Sequence, residues 1–118
     1  VIRDQAAADL ADGFQAWCKA HRIDPPLRAA ELLSFALYPD GALDRGYSPE
    51  LCARYHDEGE SIAAAVPPGA LLLLRSRYFF DDGTAFECAA FRLTQAALDQ
   101  RLHRARASLY RAVVSLLS

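Results

Sequence analysis

Two β-like segments joined at Asp81-Asp82-Gly83-Thr84, running from Leu71 to Leu93, constrain this chain more than any other feature. A lone two-stranded hairpin is marginal in water and leaves both edges unpaired, so helices of the same chain or a second chain must cover it. With Asp82-Gly83 as a two-residue turn the register follows: Phe80 opposes Ala85, Phe79 opposes Phe86, Arg77 opposes Cys88 and Leu74 opposes Phe91. One face, with Leu72, Leu74, Tyr78, Phe80, Ala85, Ala89, Phe91 and Leu93 but also Ser76 and Glu87, has the apolar majority of a core face. The other sets Phe79 and Phe86 beside Arg75, Arg77 and Arg92. Arginines with aromatics make the composition enriched in binding hot spots, and an arginine can stack on a ring while pairing with a carboxylate. The same rings could instead pack on the chain's own last helix with the arginines at the rim.

Elsewhere the pattern is helical. Residues 3–21 place Leu10, Phe14, Trp17, Cys18 and His21 on one face, with acids early and Lys19, His21 and Arg22 late, matching the helix dipole. Asp24-Pro25-Pro26 reads as a cap followed by proline and predicts a second helix to about Leu37, ended by a turn at Pro39-Asp40-Gly41 and a polar loop over 40–47. Ser48-Pro49-Glu50 opens a third helix whose face carries Leu51, Cys52, Tyr55, Ile62 and Val66, with Gly59 as a soft spot and Pro67-Pro68-Gly69 as its end. Thr94 caps a long last helix to about Leu117. No repeat or linker interrupts the 118 residues, so the expectation is one α+β domain of three helices, a two-stranded antiparallel β-hairpin and a long C-terminal helix.

The last helix carries Leu98, Leu102, Ala105, Leu109, Ala112 and Leu116 at alternating steps of four and three, a heptad-type seam. It either packs on the chain's own core or joins a second chain. Arg101, Arg104, Arg106, Arg111 and His103 make the helix basic. No helix-turn-helix, zinc-finger or basic-zipper pattern accompanies them, which argues against direct nucleic-acid binding. Charge is divided along the chain: residues 1–60 hold 11 acids and 6 bases, residues 61–118 hold 4 acids and 7 bases. Such a division suits an oriented partner or a twin subunit.

Little points to a reaction. Cys18…His21 and Cys52…His56 have spacings that could chelate zinc from two helices, yet both cysteines fall on apolar faces where a thiol acts as a small hydrophobe. Asp57, Glu58 and Glu60 cluster, as do Asp81 and Asp82, but adjacent acids of this kind are usually solvated or serve a turn. No nucleophile elbow, phosphate-binding loop or dinucleotide fingerprint occurs. The expectation is a non-enzyme without cofactor or metal. Three widely spaced cysteines suggest a reducing compartment, and no apolar run approaches the ~20 residues of a membrane span. With no leader pattern evident, a cytoplasmic protein is expected. A chain that begins at Val1 and contains no methionine is also expected to lack its true start.

The order of helices, the Arg-Tyr-Phe-Phe-Asp-Asp-Gly stretch at 77–83 and the arginine-rich closing helix resemble the QslA-like quorum-sensing anti-activators. That resemblance implies a cytoplasmic non-enzyme that binds a LuxR-type acyl-homoserine-lactone receptor and blocks its dimerisation and DNA binding. It implies no catalytic residue. Residues 66–98, with Val66-Pro67-Pro68-Gly69, a leucine-rich strand, Asp82-Gly83 and a second strand, are similar to part of the UTRA ligand-sensing domain of GntR regulators, which offers a small-molecule sensor as the alternative. From the residues alone, the expected partner surface comprises Arg75, Arg77, Phe79, Phe86, Arg92, Leu98, Leu102, Ala105, Leu109 and Leu116, in a protein that binds a regulatory partner and forms a homodimer.

Overall fold

A computed structural model describes residues 2–38, 46–80 and 82–118, the first three of these as backbone only. The expected turn at Pro39-Asp40-Gly41, most of the 40–47 loop and Asp81 lie outside the described residues. The architecture is all-α. Helices α1 (Ile2–Ala20), α2 (Ala29–Leu37), α3 (Pro49–Ala65), α4 (Pro68–Arg75), α5 (Thr84–Phe91) and α6 (Gln95–Leu117) follow one another, and a π-helical turn, Ser76–Phe80, prolongs α4. No strand occurs among the described residues.

The hairpin is therefore corrected to a helical corner, and the α+β expectation with it. Pro68 occupies the first turn of α4, where a missing N–H costs nothing, so the proline pair that closes α3 also opens the next helix. Leu73, Leu74, Ser76 and Tyr78 turn inward, a set drawn from both faces of the expected strand. Gly83 has φ +86° and ψ 158°, a backbone region that glycine enters freely, and it lets the chain reverse into α5 instead of making a hairpin turn. At the far end of α5, Arg92 adopts a left-handed conformation and Leu93 N–H bonds Cys88 C=O at 3.0 Å, a helix-terminating arrangement.

The other helices follow their signals more closely. Ser48 Oγ accepts from Leu51 N–H and Thr94 Oγ1 from Ala97 N–H, each at 3.2 Å, and so cap α3 and α6. Asp24-Pro25-Pro26 does not open α2, which starts at Ala29 after a turn. At its other end Arg75 of α4 donates to the carbonyls of Leu37 (Nε, 3.2 Å) and Ala36 (Nη2, 3.4 Å), satisfying two C-terminal acceptors of α2.

All five other helices touch α6. Its residues Leu109, Tyr110 and Val113 join Phe14, Leu32, Leu33, Ile62 and Leu74 in the main core, while Leu98 and Leu102 form a second cluster with Leu73. The heptad seam is thus buried within the chain: Leu98, Leu102, Ala105 and Leu109 are at most 2% exposed, and of the expected seam contacts Leu116 alone reaches the surface, at 39%.

Gly59 is a crossing point, not a soft spot. A Cβ there would lie 2.7 Å from the backbone C and O of Phe35, so α3 can approach α2 this closely only without a side chain. Gly59→Ala is expected to cost about 1–3 kcal/mol by overpacking, although alanine is the better helix former. Gly69→Ala, where nothing lies within 4 Å, should be neutral or slightly stabilising. Urea unfolding of the two variants checks the contrast.

Candidate functional site

The α4–α5 corner holds an ion pair that the strand register would have kept on opposite faces. Arg77, in the π turn, donates from Nε (2.9 Å) and Nη2 (2.7 Å) to Oε1 of Glu87 on α5. Glu87 is fully buried, and its Oε2 has no hydrogen-bond partner among the described residues. A carboxylate taken out of water is tolerated only beside a close cation, so Arg77 is the condition on which α5 is held to the π turn. Beside this pair Ser76 Oγ donates to Asp82 Oδ2 at 2.9 Å, tying the start of the π turn to its end. Tyr78 is held from two sides: its carbonyl accepts from Tyr38 O–H at 3.0 Å, and its hydroxyl accepts from Arg106 Nε.

The corner redistributes the surface expected from sequence. Arg75 and Arg77 are spent on α2 and on Glu87. Phe79 is half-buried, its ring centroid 5.1 Å from Tyr38 and 4.8 Å from Phe80. Leu98, Leu102, Ala105 and Leu109 are interior. Phe86 and Arg92 remain outside, Phe86 at 55% exposure. Two exposed apolar residues join them that the strand pattern had assigned to the core face: Leu72 at 61% and Phe80 at 63%. Glu87 was missed as a partner of Arg77. The signal was present: it is the single charge in the segment Thr84–Phe91, ten residues after an arginine.

Next to the corner lies a groove of about 340 Å³ between α4, α5 and α6. Its lining includes Leu73, Phe91 and Leu93, with Arg101 and Arg104 of α6 at the edge. Neither arginine makes an ion pair among the described residues. The groove is apolar and cationic, and no carboxylate among the described residues lines it.

The described residues considered for metal binding do not converge. Cys18 is buried, and desolvation pushes its thiol up from the ordinary range. His21 is exposed with Nδ1 2.8 Å from the Trp17 carbonyl, and the His56 ring meets Phe35 edge-on at 4.9 Å. Among the described residues, no three of His, Cys, Asp or Glu are placed to hold a metal ion. No helix among them is long and apolar enough to cross a membrane. The helical corner also removes the basis of the UTRA resemblance, which rested on two strands over 66–98. The chain matches no family model, no curated protein and no solved structure.

Replacing Arg77 by methionine strands the Glu87 carboxylate. The expected loss is about 2–4 kcal/mol, in the lower part of the range for a broken buried pair because Arg77 keeps 27% of its side chain exposed. Combining Arg77→Met with Glu87→Leu should recover most of that loss. Denaturant midpoints of the single and double variants provide the comparison.

Proposed function

We propose that this chain is a small non-enzymatic cytoplasmic regulator that binds a partner protein and prevents the partner's dimerisation and DNA binding, with the α4–α5 corner as its contact surface. The observation that carries the reading is the outward set of Leu72, Phe80 and Phe86 at 61%, 63% and 55% exposure, all within one short stretch. Large apolar side chains concentrated at one place on a surface mark interaction sites, and aromatic residues dominate the binding energy of such sites. Arg92, Arg101 and Arg104 make no ion pair among the described residues, which suits an acidic rim on the partner. The resemblance stated above supplies the partner class, a LuxR-type receptor. In its absence the same corner would serve a homodimer.

Leu98, Leu102, Ala105 and Leu109 of the α6 seam are interior, so Leu116 is the exposed residue that the seam offers a partner. A standard interface buries about 800 Å² per partner, so the corner must act together with the neighbouring groove. The test is displacement. Purified chain added to a LuxR-type activator bound to labelled operator should release the DNA, read as a fall in anisotropy. The Phe80→Ser/Phe86→Ser variant should need about tenfold more protein or beyond for the same release. Unchanged DNA binding by the activator, or equal potency of the variant, would remove this reading.

A further inference from the structure

A second concavity lies on the opposite flank of α6, away from the α4–α5 corner, and nothing in the proposed regulatory contact uses it. We propose that the cleft between α1 and α6 binds a small organic anion built on a planar aromatic ring. The cleft has a volume of about 440 Å³, within the roughly 300–1,000 Å³ typical of small-molecule sites. Trp17 and Tyr110 contribute aromatic surface to it, their ring centroids 5.8 Å apart, and His21 stacks on Trp17 at 4.3 Å.

The fixed charge lining the cleft is positive. Arg106 and Arg111 border it together with His21 and His103, and no carboxylate among the described residues does. His103 and Arg111 are exposed and make no ion pair among the described residues. Arg106 commits Nε to the Tyr78 hydroxyl, while its two terminal nitrogens have no partner among the described residues. Guanidinium groups suit planar oxyanions because they offer donors in a fixed fork, and they also stack on rings.

Tyr110 fits the same ligand class. It is 3% exposed, and burial is the main cause that pushes its hydroxyl up to about 12, so the group stays neutral and does not repel an anion. Its O–H lies 3.4 Å from the Leu10 carbonyl and donates to it. The ring can sit there because α1 carries glycine opposite it: a Cβ on Gly13 would come within 2.7 Å of the Tyr110 oxygen. Small residues from both helices keep the rest of the wall low. Aromatic side chains beside arginines that make no ion pair among the described residues suit a flat apolar body with an acidic group.

The experiment uses Trp17, the only tryptophan in the chain, as its own reporter. Four probes are titrated against the whole protein: 1-naphthoate and adenosine monophosphate as anionic rings, adenosine as a neutral ring, and inorganic phosphate as an anion without a ring. Saturable change of Trp17 emission by either anionic ring supports the site, and the one that binds identifies its acid group as carboxylate or phosphate. Adenosine and phosphate should bind about tenfold more weakly or worse. Arg111→Gln and His103→Gln, both at exposed positions, should each weaken the anionic ring severalfold. The Arg101→Gln/Arg104→Gln variant, on the other flank of α6, should bind like the wild type. The proposal is overturned if neither anionic ring saturates, if adenosine binds as well as the monophosphate, or if Arg111→Gln leaves affinity unchanged. An equal loss in the Arg101→Gln/Arg104→Gln variant would also overturn it, since that would mark a diffuse charge effect.

Discussion

The stripe Leu98, Leu102, Ala105, Leu109 and Val113 along α6 is the surface against which the rest of the chain is laid. Each of these side chains is at most 2% exposed, and every other helix makes contact with α6. Burying a leucine contributes about 1.5–3 kcal/mol, so the stripe is among the larger favourable contributions available to a domain of 118 residues. Because the chain's own helices consume it, α6 has only its flanks left for other uses. One flank faces the α4–α5 groove, the other faces α1.

The ion pair of Arg77 with Glu87 decides what the first flank looks like. It draws α5 onto the π turn at the cost of a buried carboxylate oxygen without a partner among the described residues. With Arg77 turned toward Glu87, the exposed apolar residues of the corner are Leu72, Phe80 and Phe86. On the second flank, Arg106 and Arg111 border a cleft with aromatic side chains and make no ion pair among the described residues. The two surfaces share a helix but differ in kind. The corner exposes large apolar side chains; the cleft lies between two helices and carries arginines and histidines on its lining.

The helical part of the fold was legible wherever a capping side chain preceded an apolar face. Ser48-Pro49 and Thr94 mark the starts of α3 and α6 in the chain as they do in the structure. The stretch from Leu71 to Phe80 was not legible in that way, because a short continuous apolar run fits a buried strand and a buried helical turn equally well. Pro68 is the arbiter: a proline in a first helical turn argues for a helix after it as much as for the end of the helix before it. Asp82-Gly83 carried a hairpin signal because glycine takes positive φ in such turns, yet positive φ serves a helix entry as well. With the strands went the face assignment. Arg77 and Glu87, on different faces of the pleated register, are partners in the helical structure. The α6 seam was legible as a pattern, but spacing alone does not say whether its complement comes from the same chain. The cleft beside α1 was illegible, since its cations and rings are distributed over residues 13–21 and 103–111 and meet only through the packing of two helices.

Native-state hydrogen exchange along α6, followed across a dilution series of the free protein, tests most directly whether the chain covers its own stripe. Amides from Leu98 to Val113 should exchange only through global unfolding, at rates independent of protein concentration. Protection that falls away on dilution would mean that a second copy covers the stripe, and would contradict the account.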